Sequence, residues 1–236
     1  MDKPEARDKR VNWRKRASLS RRSREVSRPT PYPGKALLSA SRLENRAGRG
    51  YNRTMPVELI LGGARSGKSR CAEQRALDSG LSVTLIATAA PGDVEMRARI
   101  DSHRARRPSG WRTVEASHDL TATVAREARD DACVIVDCLT VWLCNLLSVG
   151  NSPGPDVGVI ESPAGFEPAL AGFLDILPSL PGKVILVSNE IGFGVVPLGA
   201  LSRFFVDEMG RLNQHVASRV ARVTLMVAGL ALELKP

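Results

Sequence analysis

Residues 57–69 read VELILGGARSGKS, and the reading of this stretch decides the fold. Val57–Leu61 is a short apolar run ending in glycine, the pattern of a buried strand. Gly62, Gly63, Ala64, Arg65, Ser66, Gly67, Lys68 and Ser69 then fit GxxxxGK[ST]. Ser69–Ser79 carries a helical pattern, with Gly80 as its stop. A strand before and a helix after are what such a loop requires. Glycine at 62 and 67 opens backbone conformations closed to residues with a Cβ, so successive N–H groups can turn onto phosphate oxygens. The helix aims its positive end at the same place. Lys68 would reach the β and γ phosphates of a nucleoside triphosphate, and the Ser69 hydroxyl would ligate Mg2+. The competing reading is a plain glycine turn.

Outward from the loop, Val83–Thr88, Cys133–Val136 and Lys183–Ser188 read as buried strands. Asp93–Arg106, Asp119–Arg129, Leu139–Leu147, Ala169–Leu177 and Leu201–Ala221 read as helices. Ser148–Pro168 is rich in glycine and proline and reads as an exposed loop. Val223–Val227 and Ala231–Lys235 form a final strand pair around Gly229, close enough in sequence to be antiparallel. Apolar strands alternating with helices predict an α/β domain over residues 55–236, its mostly parallel sheet covered on both faces.

The charge is uneven. The chain has 236 residues and a formal net charge of +9. Residues 1–54 hold 16 Lys and Arg against 5 Asp and Glu, and the remainder holds 18 against 20. The basicity therefore belongs to a tail rich in Arg, Ser and Pro, whose composition predicts disorder. A nucleic-acid arm or a targeting peptide are functional readings of it. The expectation here is a gene-start artefact, with the protein beginning at Met55. A nearly neutral body argues against a nucleic-acid partner, since such binding needs its positive field on the binding surface. No apolar run is long enough to insert in a membrane. Cys71, Cys133, Cys138 and Cys144 form no CxxC pair and read as reduced thiols of a cytoplasmic protein.

Two carboxylates end apolar strands. Asp137 closes CVIVD and is placed to hold the metal, or else to shape the turn into the next helix, where Thr140 stands at helix-start spacing. Glu190, after VILVSN, is a base, a metal partner or a former of the glycine loop that follows. A third feature is RIDSHRARRP, residues 99–108. Phosphoryl transfer alone needs no histidine nucleophile. Neutral His103 could attack phosphorus to give a covalent enzyme–nucleotide intermediate. Arg104, Arg106 and Arg107 could stabilise charge on the reacting phosphates. The alternative is a solvated basic helix end.

Taken in order, GGARSGKS, EMRARIDSHRARRPSGWRTVEA, VDCLTVWLCNLL, SNEIGFGVVP and GRLNQHVA…VAGLALELK resemble one family. It is the bifunctional adenosylcobinamide kinase/adenosylcobinamide-phosphate guanylyltransferase family of cobalamin biosynthesis. The resemblance implies a P-loop NTPase fold of RecA-like, three-layer form. It implies that ATP or GTP phosphorylates adenosylcobinamide. GTP then donates GMP, through a histidine matching His103, to adenosylcobinamide phosphate. It also implies that Ala87, Thr88, Ala89, Arg106, Arg107, Pro108, Ser109, Glu115 and Asp137 border the nucleotide, with Ser69 and Asp137 on Mg2+. The family's oligomeric habit implies a homo-oligomer, a trimer among relatives. Residues 1–54 have no counterpart in the resemblance. Arg222 stands where the family usually has an acid, and Gly229-Leu230-Ala231 replaces the commoner GLP. His118 and His215 read as surface or capping residues, and Trp111 and Trp142 as packing residues.

Overall fold

A strand buried on both faces must be apolar along its whole length, and residues 58–62 come close to that. The exception, Glu58, is neutralised by its neighbours, as described below. In the computed structural model, which describes residues 57–89, 108–148 and 158–236, Glu58–Gly62 forms β1, every residue of it buried. The loop follows, and Lys68–Leu77 is α1. Ser82–Ala87 is β2, Arg112–Glu115 β3, Leu120–Glu127 α2, Ala132–Asp137 β4 and Leu139–Ser148 α3. Phe166–Ile176 is α4, followed by a 3-10 turn over Leu177–Ser179. Lys183–Val187 is β5, Ala200–Arg219 α5, Arg222–Val227 β6 and Leu230–Lys235 β7. The predicted helix at Asp93–Arg106 and the tail of residues 1–54 lie outside the described residues.

The strands form one sheet in the order β3-β2-β4-β5-β1-β6-β7. All pairs are parallel except β6 with β7. The predicted α/β fold, mostly parallel with a closing antiparallel pair, is the one observed. One face packs α2, α3, α4 and α5 over a core that includes Trp142, Phe173, Leu212 and Val216. Trp142 and Phe173 meet with ring centroids 5.0 Å apart at 55°, a tilted pairing that adds about 0.5–1.5 kcal/mol beyond burial. The other face packs α1 through Ala72 and Ala76 against Ile60, Leu85, Ile135 and Val187. Two small alanines bring α1, and the loop at its head, close down on the sheet.

A buried carboxylate on β1 is costly unless paired. Glu58 Oε2 takes Arg75 Nη1 of α1 at 2.5 Å, and Arg75 Nη2 reaches Glu233 Oε1 of β7 at 2.6 Å. Lys183 Nζ lies 3.7 Å from Glu58 Oε1. One arginine thus joins β1, the helix after the loop and the edge strand.

Two elements depart from the sequence reading. β3 was not expected: at four residues, with Arg112 and Glu115 exposed, it carries no apolar run and stands at the edge of the sheet. The predicted loop over Ser148–Pro168 runs too far, because α4 begins at Phe166 and that ring is buried. Pro168 sits in the helix's first turn, where a missing N–H costs nothing. Among the described residues no helix is long and apolar enough to cross a membrane.

Candidate active site

The loop between β1 and α1 is shaped by its glycines and by a neighbouring strand. Gly62 has φ 151 and Gly67 φ 101, both in the range that favours glycine. A Cβ on Gly62 would also stand 2.5 Å from the Met226 carbonyl oxygen and 2.6 Å from Ser66 Oγ. Gly62 therefore serves close strand packing as well as conformational freedom. Gly67 caps α1 without a side-chain hydrogen bond, so the first-turn N–H groups keep their capacity for an anion. Ser66 Oγ is buried and has no hydrogen-bond partner among the described residues.

Lys68 is buried, and its Nζ donates to the Gly63 carbonyl at 2.7 Å across the loop. Burial lowers its pKa below the ordinary lysine value, while Cys138 and Asp137 pull it partly back. The effect of Asp137 on Lys68 places the β4 carboxylate in the electrostatic field of the loop. The sheet register agrees. Asp137 and Ile60 both stand level with Val187 of β5, so two strand spacings, about 10 Å, separate the end of β4 from the end of β1. Ser69, in the first turn of α1, and Asp137, at the end of β4, are each half-buried. Both are hard oxygen donors, and Mg2+ typically takes one or two protein oxygens and keeps several waters. The residues fit the ion.

The same edge of the sheet collects other predicted residues. Ala87 stands opposite both Asp137 and Glu115. Thr88 is tied to the end of β4: its N–H donates to the Asp137 carbonyl at 3.2 Å, and its Oγ1 donates to the Cys138 carbonyl at 2.8 Å. The same Oγ1 accepts the Cys138 N–H at 2.9 Å. Ala89 follows, half-buried. Burial, then the charge of Asp137, pushes the Cys138 thiol up to about 11, so it is no thiolate nucleophile near neutral pH.

Pro108 and Ser109 stand in the turn that feeds the start of β3, which runs parallel to β2, with Arg112 opposite Thr84. His103, Arg106 and Arg107 lie outside the described residues.

The loop after β5 begins against the phosphate loop. Ser188 N donates to Ile60 O and Glu190 N to Gly62 O, both at 3.0 Å. Glu190 Oε1 accepts the Gly192 N–H at 2.8 Å, which makes it a former of the glycine loop. Thr140 Oγ1, in the first turn of α3, accepts the Asn189 N–H at 2.8 Å.

Sequence reasoning missed two asparagines that brace this edge. Asn145 of α3 donates to the Thr88 and Ser117 carbonyls at 2.8 and 2.9 Å. Asn213 of α5 accepts from Ser188 Oγ at 2.7 Å and donates to the Asn189 carbonyl at 3.0 Å. Each is partnered by groups of loops distant in sequence, so no local signal marked it. Of the histidines outside the motif, His118 is exposed and its Nδ1 contacts Ser117 Oγ, while His215 is half-buried on α5.

A parallel sheet with a glycine loop, a buried loop lysine and a strand-end aspartate defines a P-loop protein that works on nucleotides. Residues 58–234 match the family described as cobinamide kinase / cobinamide phosphate guanyltransferase, and the chain belongs to that family. It is 53% identical over 178 residues to the bifunctional adenosylcobalamin biosynthesis protein CobP of Pseudomonas aeruginosa, covering 75% of this chain and 96% of that one. It is 38% identical over 179 residues to the Escherichia coli K12 protein named CobU, covering 75% of this chain and 98% of the relative. The Salmonella typhimurium CobU is likewise 38% identical, over 182 residues, with 75% and 98% covered. The chain is thus an enzyme, a kinase and transferase of cobalamin biosynthesis.

Proposed function

We propose that the enzyme phosphorylates adenosylcobinamide with ATP or GTP and then transfers GMP from GTP to adenosylcobinamide phosphate through a histidine–GMP intermediate on His103. The observation that carries the reading is the buried Lys68 set in the glycine loop within the influence of Asp137. Both reactions need the outer phosphates of a nucleotide gripped. For kinase turnover that grip presents the γ-phosphorus to the substrate hydroxyl. For guanylyl transfer it makes pyrophosphate a held leaving group.

In the second reaction an imidazole nitrogen of His103 bonds to the α-phosphorus, the bond from that phosphorus to the bridging oxygen breaks, and pyrophosphate departs. The imidazolium so formed loses its remaining N–H proton to solvent. A phosphate oxygen of adenosylcobinamide phosphate then attacks the same phosphorus. The nitrogen–phosphorus bond breaks as the ring nitrogen takes a proton back from solvent, giving adenosylcobinamide-GDP and neutral histidine. Lys68 and the loop amides balance the charge of the outer phosphates, and Arg106 and Arg107 that of the reacting one. Ala87, Thr88, Ala89 and Glu115 border the nucleotide. When bound, Mg2+ neutralises phosphate charge, and Ser69 and Asp137 would hold it.

A homo-oligomer, a trimer by family habit, belongs to the same reading. Its support is the loop after β5, where Phe193 is 83% and Leu198 95% exposed. Apolar side chains so open to water suit a surface covered by another subunit.

The test is labelling. GTP carrying an α-phosphate label should mark the protein covalently, with acid-labile and base-stable chemistry, and a γ-label should not. His103→Ala should abolish the mark and guanylyl transfer while some kinase turnover survives. Label retained by the alanine variant would assign the nucleophile elsewhere. Absence of any adduct in the wild type would leave a single-activity kinase.

A further inference from the structure

We propose that the turn between β6 and β7 is a positioning element of the phosphate loop, and that Gly229 acts through its backbone N–H. The inference rests on the reading that residues 62–69 hold a triphosphate. The Gly229 N–H donates to the Ser66 carbonyl at 3.0 Å. The Ser66–Gly67 peptide is trans, since the one cis bond among the described residues is Asp137–Cys138. In a trans peptide the carbonyl and the following N–H point in opposite directions. A Ser66 carbonyl held on the turn therefore sends the Gly67 N–H away from it. That amide opens α1 and belongs to the set that meets phosphate oxygens. The turn orients a phosphate donor it never touches.

The turn is built to hold this position. Val227 pairs with Leu230, leaving a two-residue connection, and Ala228 and Gly229 have φ 52 and 82. Positive values at both central residues match the tight hairpin turn whose twist suits antiparallel strands. β6 lies beside β1, with Met226 opposite Gly62, and the Met226 side chain comes within 3.6 Å of a Cβ built on Gly67. At the far end of the hairpin Glu233 takes Arg75 of α1 at 2.6 Å. The hairpin grips the loop at one end and its helix at the other, so loop and helix keep one relative placement.

The experiment separates the N–H from the side chain. In one variant the Gly229 amide becomes an ester, with glycolic acid installed by nonsense suppression. This deletes the donor and keeps the glycine. In the other, Gly229→Asn keeps the donor; asparagine tolerates this backbone region, and its Cβ would meet nothing within 4 Å. The probe is inorganic triphosphate with Mg2+, followed by calorimetry on the full chain. The ester should bind it about tenfold more weakly, the size of effect expected for one lost hydrogen bond. It should also raise KM for GTP by a similar factor while KM for the corrinoid stays put. Gly229→Asn should stay within about twofold of the wild type.

Wild-type affinity in the ester overturns the proposal. So does an asparagine variant as weak as the ester, because the donor would then not be what matters. Lys68→Ala run alongside guards the premise: if it too binds triphosphate normally, the assignment of the loop itself fails.

Discussion

The loops that leave β1 and β5 start side by side, joined by the hydrogen bond from Glu190 N to Gly62 O, and both are rich in glycine. They are built for opposite purposes. The β1 loop turns its polar groups inward: Lys68 is buried, Ser66 Oγ is buried and unpartnered among the described residues, and a strand turn fixes one carbonyl. The β5 loop turns apolar groups outward, with Phe193, Val195, Val196 and Leu198 all exposed. Its backbone is held by Glu190 Oε1 at one end and by Arg203, which donates to the Pro197 and Leu198 carbonyls, at the other. Glycine content alone does not make a phosphate cradle. The difference lies in what lies behind the backbone: a packed hairpin in one case and water in the other.

The largest test of this contrast is Lys68→Ala, which should cut kcat/KM of both reactions by about 10²–10³-fold. The pH dependence sharpens it. Burial holds the Lys68 pKa below the ordinary 10.5, so triphosphate affinity should fall as pH rises through that lowered value. Stability should move the other way. Between the lowered value and 10.5 the unfolded chain holds more protons than the folded one, so unfolding free energy rises with pH. Titration of binding and of melting temperature across the alkaline range checks both signs. Both trends should vanish in the alanine variant.

A smaller effect is expected in the β5 loop. Phe193→Ser with Leu198→Ser should shift the protein to a smaller species in light scattering and leave inorganic triphosphate binding within about twofold. Weakened triphosphate binding would mean the two loops are not functionally separate. The smallest effect belongs to Asn213→Ala, at the root of that loop. Removing this buried amide leaves Ser188 Oγ unpaired, a cost of about 1–3 kcal/mol. Thermal melting should register it as a drop of several degrees, with nucleotide KM changed only a few-fold.

Much of this was legible from residue order. The apolar run before Gly62, the glycine spacing and the helix after it gave the loop and its strand. The CVIVD run gave β4 with Asp137 at its end, and Gly229 between two short runs gave the closing antiparallel pair. β3 was not legible, since a four-residue edge strand with charged ends has neither an apolar run nor a clean alternation. The start of α4 was hidden because Pro168 reads as a loop residue until its place in the first turn is known. Asn145 and Asn213 look like ordinary helix residues. Their meaning comes from carbonyls of loops far away in sequence, which no local pattern encodes. Gly229 read as a spacer for the same reason.

The bond between Gly229 and Ser66 ties the loop after β1 to a hairpin that comes 163 residues later in the chain. During synthesis the early segment, from β1 through α1, emerges long before its brace. A nascent chain therefore carries the nucleotide motif before the brace that holds its Ser66 carbonyl.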